Sequence, residues 1–188
     1  YTNGSADFSN FVSVGNSLTS GYADGALYIT GQNTSFPNIL AGQFALVGGG
    51  EFKQPLVNDN LGGLLANGTQ ITENRFVLAV GANGNPGPVR LSGTPTTDIS
   101  NLLSGPFNNM GVPGAKSFHL VAPGYGNIAG VATGASNPYF VRFASEANAT
   151  IIADAAAQQP TFFSLWIGNN DILSYATSGG IGVDQKGN

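Results

Sequence analysis

A near-continuous apolar run, Thr161-Phe162-Phe163-Ser164-Leu165-Trp166-Ile167, lies between Pro160 and the turn Gly168-Asn169-Asn170-Asp171. Its length suits a strand, and its lack of alternation gives that strand no polar face. Strands apolar on both faces belong inside parallel sheets covered by helices. A second run of this kind, Phe11-Val12-Ser13-Val14, ends at Gly15. Between them, Pro138 opens a helical pattern that runs to about residue 159, where Phe140, Ala144, Ala147, Ile151 and Ala155 recur at spacings of three and four. Pro160 stops it. The strand, helix, strand alternation predicts an α/β fold with a doubly wound parallel sheet, which binds ligands at the C-terminal ends of its strands.

The 188 residues suffice for one domain with a real core. A short helix is expected from about residue 35 to 44, with Pro37 at a first-turn position and Ile39, Leu40 and Phe44 as its apolar stripe. From about 48 to 105 the texture changes. Gly48-Gly49-Gly50, Asn83-Gly84-Asn85-Pro86-Gly87-Pro88 and Ser92-Gly93-Thr94-Pro95 punctuate short strands such as Arg75 to Val80. This reads as an irregular β and loop insertion within the domain. Asn108 to Gly114 reads as a turn-rich link into a segment containing Phe118, Leu120 and Val121.

Charged residues make up only 9% of the chain, against roughly 25% in an average soluble domain, so neutral polar groups carry its solubility. A net charge of −4 argues against non-specific nucleic-acid binding, which needs a basic face. No window approaches the length of an apolar membrane span. With no cysteine, a disulfide framework and a thiolate metal site are both excluded. The single His and the dispersed acids offer no metal site, and Gly48-Gly49-Gly50 lacks the Lys-Ser/Thr of a phosphate loop, so neither metal nor cofactor is expected. The scarcity of Lys and Glu suits an exported protein, and the start at Tyr1 fits an export signal already removed.

Three turns hold the candidate chemistry. Gly15-Asn16-Ser17-Leu18 presents a hydroxyl just past a buried strand, so Ser17 is either a helix N-cap or a nucleophile. Asn109 to Gly114 ends in a glycine that is either an ordinary turn residue or a backbone N–H close to a ligand. In Gly168-Asn169-Asn170-Asp171, Asn170 and Asp171 are either caps or, for Asn170, a side-chain amide donor. Backbone N–H groups and an amide suit the oxyanion that forms when a serine attacks an acyl group, because they supply positive dipole without ionising.

Taken together and in this order, the turns resemble the SGNH hydrolases, the GDSL-type lipases and esterases. Phe11-Val12-Ser13-Val14-Gly15-Asn16-Ser17-Leu18-Thr19-Ser20-Gly21-Tyr22 resembles the family's Gly-Asp-Ser-Leu block, Asn109 through Gly114 its second block, and Gly168-Asn169-Asn170-Asp171 its Gly-x-Asn-Asp block. The string from Asn109 to His119 is similar to a Bacteroidetes branch whose members are often outer-membrane lipoproteins. The resemblance implies a three-layer α/β/α fold with a flavodoxin-like parallel sheet. It implies Ser17 as nucleophile, and the N–H groups of Ser17 and Gly114 with the Asn170 amide as oxyanion hole. Gly15, Asn16, Gly168 and Asp171 would support them. The implied reaction is metal-free ester hydrolysis through an acyl-serine, and the implied location is periplasmic or at the cell surface.

Two departures stand out. Asn16 replaces the family's Asp, keeping hydrogen-bonding ability without the charge. The family's final Asp-x-x-His, which supplies the base and the acid that orients it, is not matched: the sole histidine, His119, has Lys116 three residues before it. His119 is read as a local packing or hydrogen-bonding residue at a helix start. The base and the remaining strands are expected on a C-terminal remainder of the same protein or on a second chain. The alternative is a non-catalytic binding or structural subunit of a cell-envelope assembly. Tyr125, Tyr139, Phe140, Phe143 and Trp166 are expected in the core or a pocket wall, and Asp154 on a solvated helix face.

Overall fold

The computed structural model describes residues 1–81 and 84–182. Its centre is a parallel three-stranded sheet in the order β7-β1-β8, made of β1 (Phe11–Gly15), β7 (Asn109–Gly111) and β8 (Phe162–Trp166). In β1, Ser13 pairs with Asn109 on one side and with Ser164 on the other. Every residue of β1 is buried, as its lack of alternation requires.

Helices flank the sheet. Between β1 and β7 come α1 (Ser17–Ser20), α2 (Ile29–Asn33) and α3 (Phe36–Ala45), between β7 and β8 come α4 (Pro138–Val141) and α5 (Ile151–Ala157), and after β8 comes α6 (Asn169–Thr177). Alternation of side chains along β1 gives the sheet two different faces. Val12 and Val14 join Met110, Val112, Leu120, Phe140, Phe143, Ile151 and Ala155 in one apolar cluster. Phe11 points the other way, edge-on to Phe44 of α3 at 5.1 Å and stacked on Phe52 at 5.3 Å. The molecule is therefore mixed α/β, with α3 against one side of β1 and α5 against the other.

The insertion forms two small sheets. β2 (Leu64–Ala66) pairs antiparallel with β3 (Thr69–Gln70) and parallel with β6 (Thr97–Asp98), while β4 (Phe76–Val80) and β5 (Pro86–Arg90) form a separate hairpin. Buried polar side chains tie the start of the insertion to the core. Gln32 donates to Pro55 O at 3.1 Å and accepts from Val57 N–H at 2.8 Å. Arg142, 2% exposed, donates to Pro55 O and Leu56 O. Burial lowers its pKa to about 10, partly offset by Tyr139, so it stays charged at neutral pH.

Several sequence expectations need correction. The helix expected over 138–159 is two short ones, because Arg142 already caps α4 and Thr150 starts α5 with its own hydroxyl on Ala153 N–H. Ala147 is accordingly exposed, while Ala149 is buried. The link expected at 108–114 contains strand β7, a short one rich in Asn and Gly that carries no β-propensity signal. β8 is an edge strand, not an interior one: Phe163 is 64% and Trp166 50% exposed, so Trp166 is outside the core. Tyr125, Tyr139, Phe140 and Phe143 are buried as expected. Asp154 is half-buried rather than simply solvated, and it accepts from both the N–H and the hydroxyl of Ser145.

Candidate active site

The C-terminal ends of β1, β7 and β8 lie side by side, and the three turns that leave them are joined by hydrogen bonds. Gly15 ends β1 where no side chain fits: a Cβ there would collide with Thr19 Oγ1 and with Trp166 O. The close approach lets α1 start at once. Its N-cap is Asn16, whose Oδ1 accepts from Leu18 N–H at 3.2 Å. This corrects the capping alternative for Ser17, which is the first helical residue and half-buried. Asn16 is fully buried, and its Nδ2 donates to Asn169 Oδ1 across the sheet end.

The second turn leaves β7. Gly111 packs on α1, where a Cβ would collide with the backbone nitrogen of Ser20. Asn109, also buried, donates to Thr19 O at 3.0 Å and accepts from Gly111 N–H, while Val112 N–H donates to Gly15 O at 3.0 Å. Gly114 follows at φ +81°, a conformation that suits glycine, and is exposed. Asn137 holds the residue before it, donating to Pro113 O at 2.8 Å. Among the described residues, neither the N–H of Ser17 nor that of Gly114 has a hydrogen-bond partner.

The third turn leaves β8. Gly168, at φ +100°, is the N-cap of α6, which corrects the capping alternative for Asn170 and Asp171. Both instead reach to the second turn from the first turn of the helix. Asn170 Nδ2 donates to Ala115 O at 2.8 Å, leaving its other amide hydrogen for a second bond. Asp171 accepts from the Ser117 hydroxyl at 2.6 Å and from Ser117 N–H at 3.0 Å. Burial raises the Asp171 carboxyl, but these bonds and Lys116 outweigh it and hold the group below its ordinary value.

His119 lies in a 3₁₀ turn, Ser117–Val121, rather than at an α-helix start. Its Nδ1 accepts from Lys116 N–H at 3.0 Å, and its ring stacks on Tyr125 at 4.2 Å and 10°. Burial, then Lys116, lower its pKa against an opposing pull from Asp171, so the ring is neutral at pH 7. These contacts account for His119 as a packing residue.

No family model, no curated protein and no solved structure matches the chain. What the site can do therefore rests on its own geometry. A hydroxyl, two backbone N–H groups without a partner among the described residues and a carboxamide lie on the turns at one end of a parallel sheet. Among the described residues no three of His, Cys, Asp and Glu come together as a metal would require, and no helix is long and apolar enough to cross a membrane. A cleft of about 640 Å³ lined by Leu103, Phe107, Met110, Phe143 and Gln158 includes none of Ser17, Gly114 or Asn170, so it is not this site.

The sequence points to Ser17, Gly114, Asn170, Gly15, Asn16, Gly168 and Asp171, and the fold brings all of them to one sheet end. It does not point to Asn137, Asn169 or Ser117. Each acts through a partner far along the chain: 24 residues separate Asn137 from Pro113, and 54 separate Ser117 from Asp171. No local spacing marks such pairs.

Proposed function

We propose that the protein is a serine ester hydrolase of the SGNH type, with Ser17 as nucleophile. The carrying observation is that the N–H groups of Ser17 and Gly114, unpartnered among the described residues, share the sheet end with Asn170, on turns latched by the Asn16–Asn169, Asn170–Ala115 and Asp171–Ser117 hydrogen bonds. Donors held in place before reaction are what an oxyanion intermediate needs. Ser17 Oγ would attack an ester carbonyl, and the developing negative oxygen would take hydrogen bonds from Ser17 N–H, Gly114 N–H and Asn170 Nδ2. The alcohol would leave with a proton delivered by the base, and water activated by that base would release the acid. The three-layer α/β/α arrangement of the family is part of this reading.

The base is assigned to a further segment, from the C-terminal remainder of the same protein or from a second chain. Supporting this, β8 has one edge unpaired among the described residues and a face bearing exposed Phe163 and Leu165, and α6, which follows it, exposes Ile172 and Leu173. Unpaired apolar edges of this kind are normally covered. An extracytoplasmic, envelope-attached setting belongs to the same proposal.

The test is hydrolysis of a 4-nitrophenyl acyl ester by the protein as its cell makes it, with Ser17→Ala and Asn170→Ala variants. Ser17→Ala is expected to abolish turnover, and Asn170→Ala to lower kcat by about 10²–10³ with KM little changed. Equal turnover by the parent and Ser17→Ala would overturn the proposal.

One observation favours a second reading, a non-catalytic binding or structural subunit. The sole histidine is occupied by Lys116 N–H and Tyr125. On that reading the protein would lack turnover and carry a ligand or partner at the same sheet end.

A further inference from the structure

Arg142 is a buried charge that the proposed reaction does not use. Its guanidinium, 2% exposed, donates to Pro55 O at 3.3 Å and to Leu56 O at 2.6 Å. A guanidinium carries five N–H donors and stays protonated at neutral pH, so these two bonds leave the others without a partner among the described residues. None of its partners is a carboxylate. The one neighbouring titratable group that acts on its charge is Tyr139, whose phenol burial pushes well above its ordinary value and keeps neutral. Two carbonyl dipoles therefore face a full positive charge. Burying a charge without a counter-charge is costly.

A small cavity lies against this group. Its volume is about 10 Å³, near the least that admits one water-sized occupant. Ser20, Gln32, Asn109, Tyr139 and Arg142 are the polar residues of its wall, and no Asp or Glu is among them. Most of the neutral groups are already committed. The Ser20 hydroxyl donates to Ser17 O at 3.0 Å, and Asn109 Nδ2 donates to Thr19 O and Gln54 Oε1, both at 3.0 Å. Gln32 donates one amide hydrogen to Pro55 O and accepts from Val57 N–H, which leaves its second amide hydrogen. The uncommitted groups of Gln32 and Arg142 are thus donors, in a wall whose one charge is positive.

We propose that this cavity is a buried halide site, in which chloride accepts from the Arg142 guanidinium and the Gln32 amide. Sign and size together select the occupant. Water would accept from the same donors and leave the charge without a counter-charge. A carboxylate or a phosphate would supply the charge, but has more heavy atoms than the cavity admits. A monatomic anion meets both conditions, and hydrogen bonds between charged partners are the stronger kind. The wall also includes Ser20 and Gly111, the last residues of α1 and β7, so the ion braces the two elements against the loop at Pro55. The site does not depend on Ser17 or on ester hydrolysis.

The test is urea unfolding of the protein as its cell makes it, with sodium gluconate replaced stepwise by sodium chloride at constant ionic strength. Gluconate is too large to enter the cavity. One chloride held only by the folded state should raise the ratio of folded to unfolded protein about tenfold for each tenfold rise in chloride above its dissociation constant. Bromide should act in the same way. Arg142→Met, of similar length and without the charge, should lose the dependence. As a second readout that needs no variant, crystals grown in sodium bromide should show an anomalous-scattering peak in this cavity, in contact with Arg142. Stability that does not change from millimolar to half-molar chloride would overturn the proposal. So would a dependence that persists in folded Arg142→Met, since the ion would then bind elsewhere. Bromide crystals with no peak in the cavity would overturn it too, and water would be the occupant.

Discussion

Two glycines limit the site more tightly than any polar residue. Gly15 and Gly111 allow β1, α1 and β7 to touch, and a methyl at either would meet backbone atoms that cannot move aside. Gly15→Ala is expected to cost about 1–3 kcal/mol or more through overpacking, read as a lower midpoint in urea unfolding. A side chain at Gly168 would meet open space but sit at φ +100°, so its cost is conformational instead. His119 gives a prediction about pH. Its folded pKa lies below the ordinary 6.5, so the unfolded chain binds the proton first as pH falls through that value. Stability is therefore present above the ordinary histidine value and lost on acidification. With only one histidine in the chain, the fall between pH 7.5 and 5.5 should be steeper in the parent than in His119→Phe, measured by denaturant midpoints at each pH. The residues of the candidate site were legible in the sequence because the three turns that leave β1, β7 and β8 are local patterns of Gly, Asn and Ser. Their latches were not, since Asn137, Asn169 and Ser117 gain their roles only from distant partners.

Among the elements, β1 and β8 are alike in sequence and opposite in setting. Met110, 2% exposed beside β1, is expected to cost about 2–5 kcal/mol on truncation to Ala. Phe163→Ser on β8 should change stability by about 0.5 kcal/mol or less, because its ring faces solvent. A matched pair of unfolding curves checks both. Comparable losses from the two variants would show that Phe163 is covered within the chain. The contrast explains why the apolar run of β8 misled: composition records two apolar faces, not whether the described residues cover them. The helix over 138–159 misled differently. Its apolar spacing was real, but Arg142 turns inward to the carbonyls of Pro55 and Leu56 and ends α4 early. A buried arginine serving a loop some 86 residues away leaves no periodic trace. Strand β7, three residues of Asn, Met and Gly, is specified by its neighbours β1 and α1 more than by its own propensity.

At the scale of the molecule, one end of the sheet carries the candidate chemistry while the β8 edge has no partner strand among the described residues. A sheet this small leaves apolar surface on β8 and α6 with little charge anywhere on the chain to oppose association. Residues 1–188 by themselves are accordingly expected to self-associate as concentration rises in sedimentation velocity. Phe163→Asp should weaken that association without unfolding the chain. The central claim, however, is about Ser17. The most direct measurement is fluorophosphonate labelling of the protein as its cell makes it, with the adduct located by peptide mass spectrometry. The account predicts one covalent adduct on Ser17, absent from Ser17→Ala. An unlabelled Ser17 in folded protein, or labelling that persists in Ser17→Ala, would contradict it.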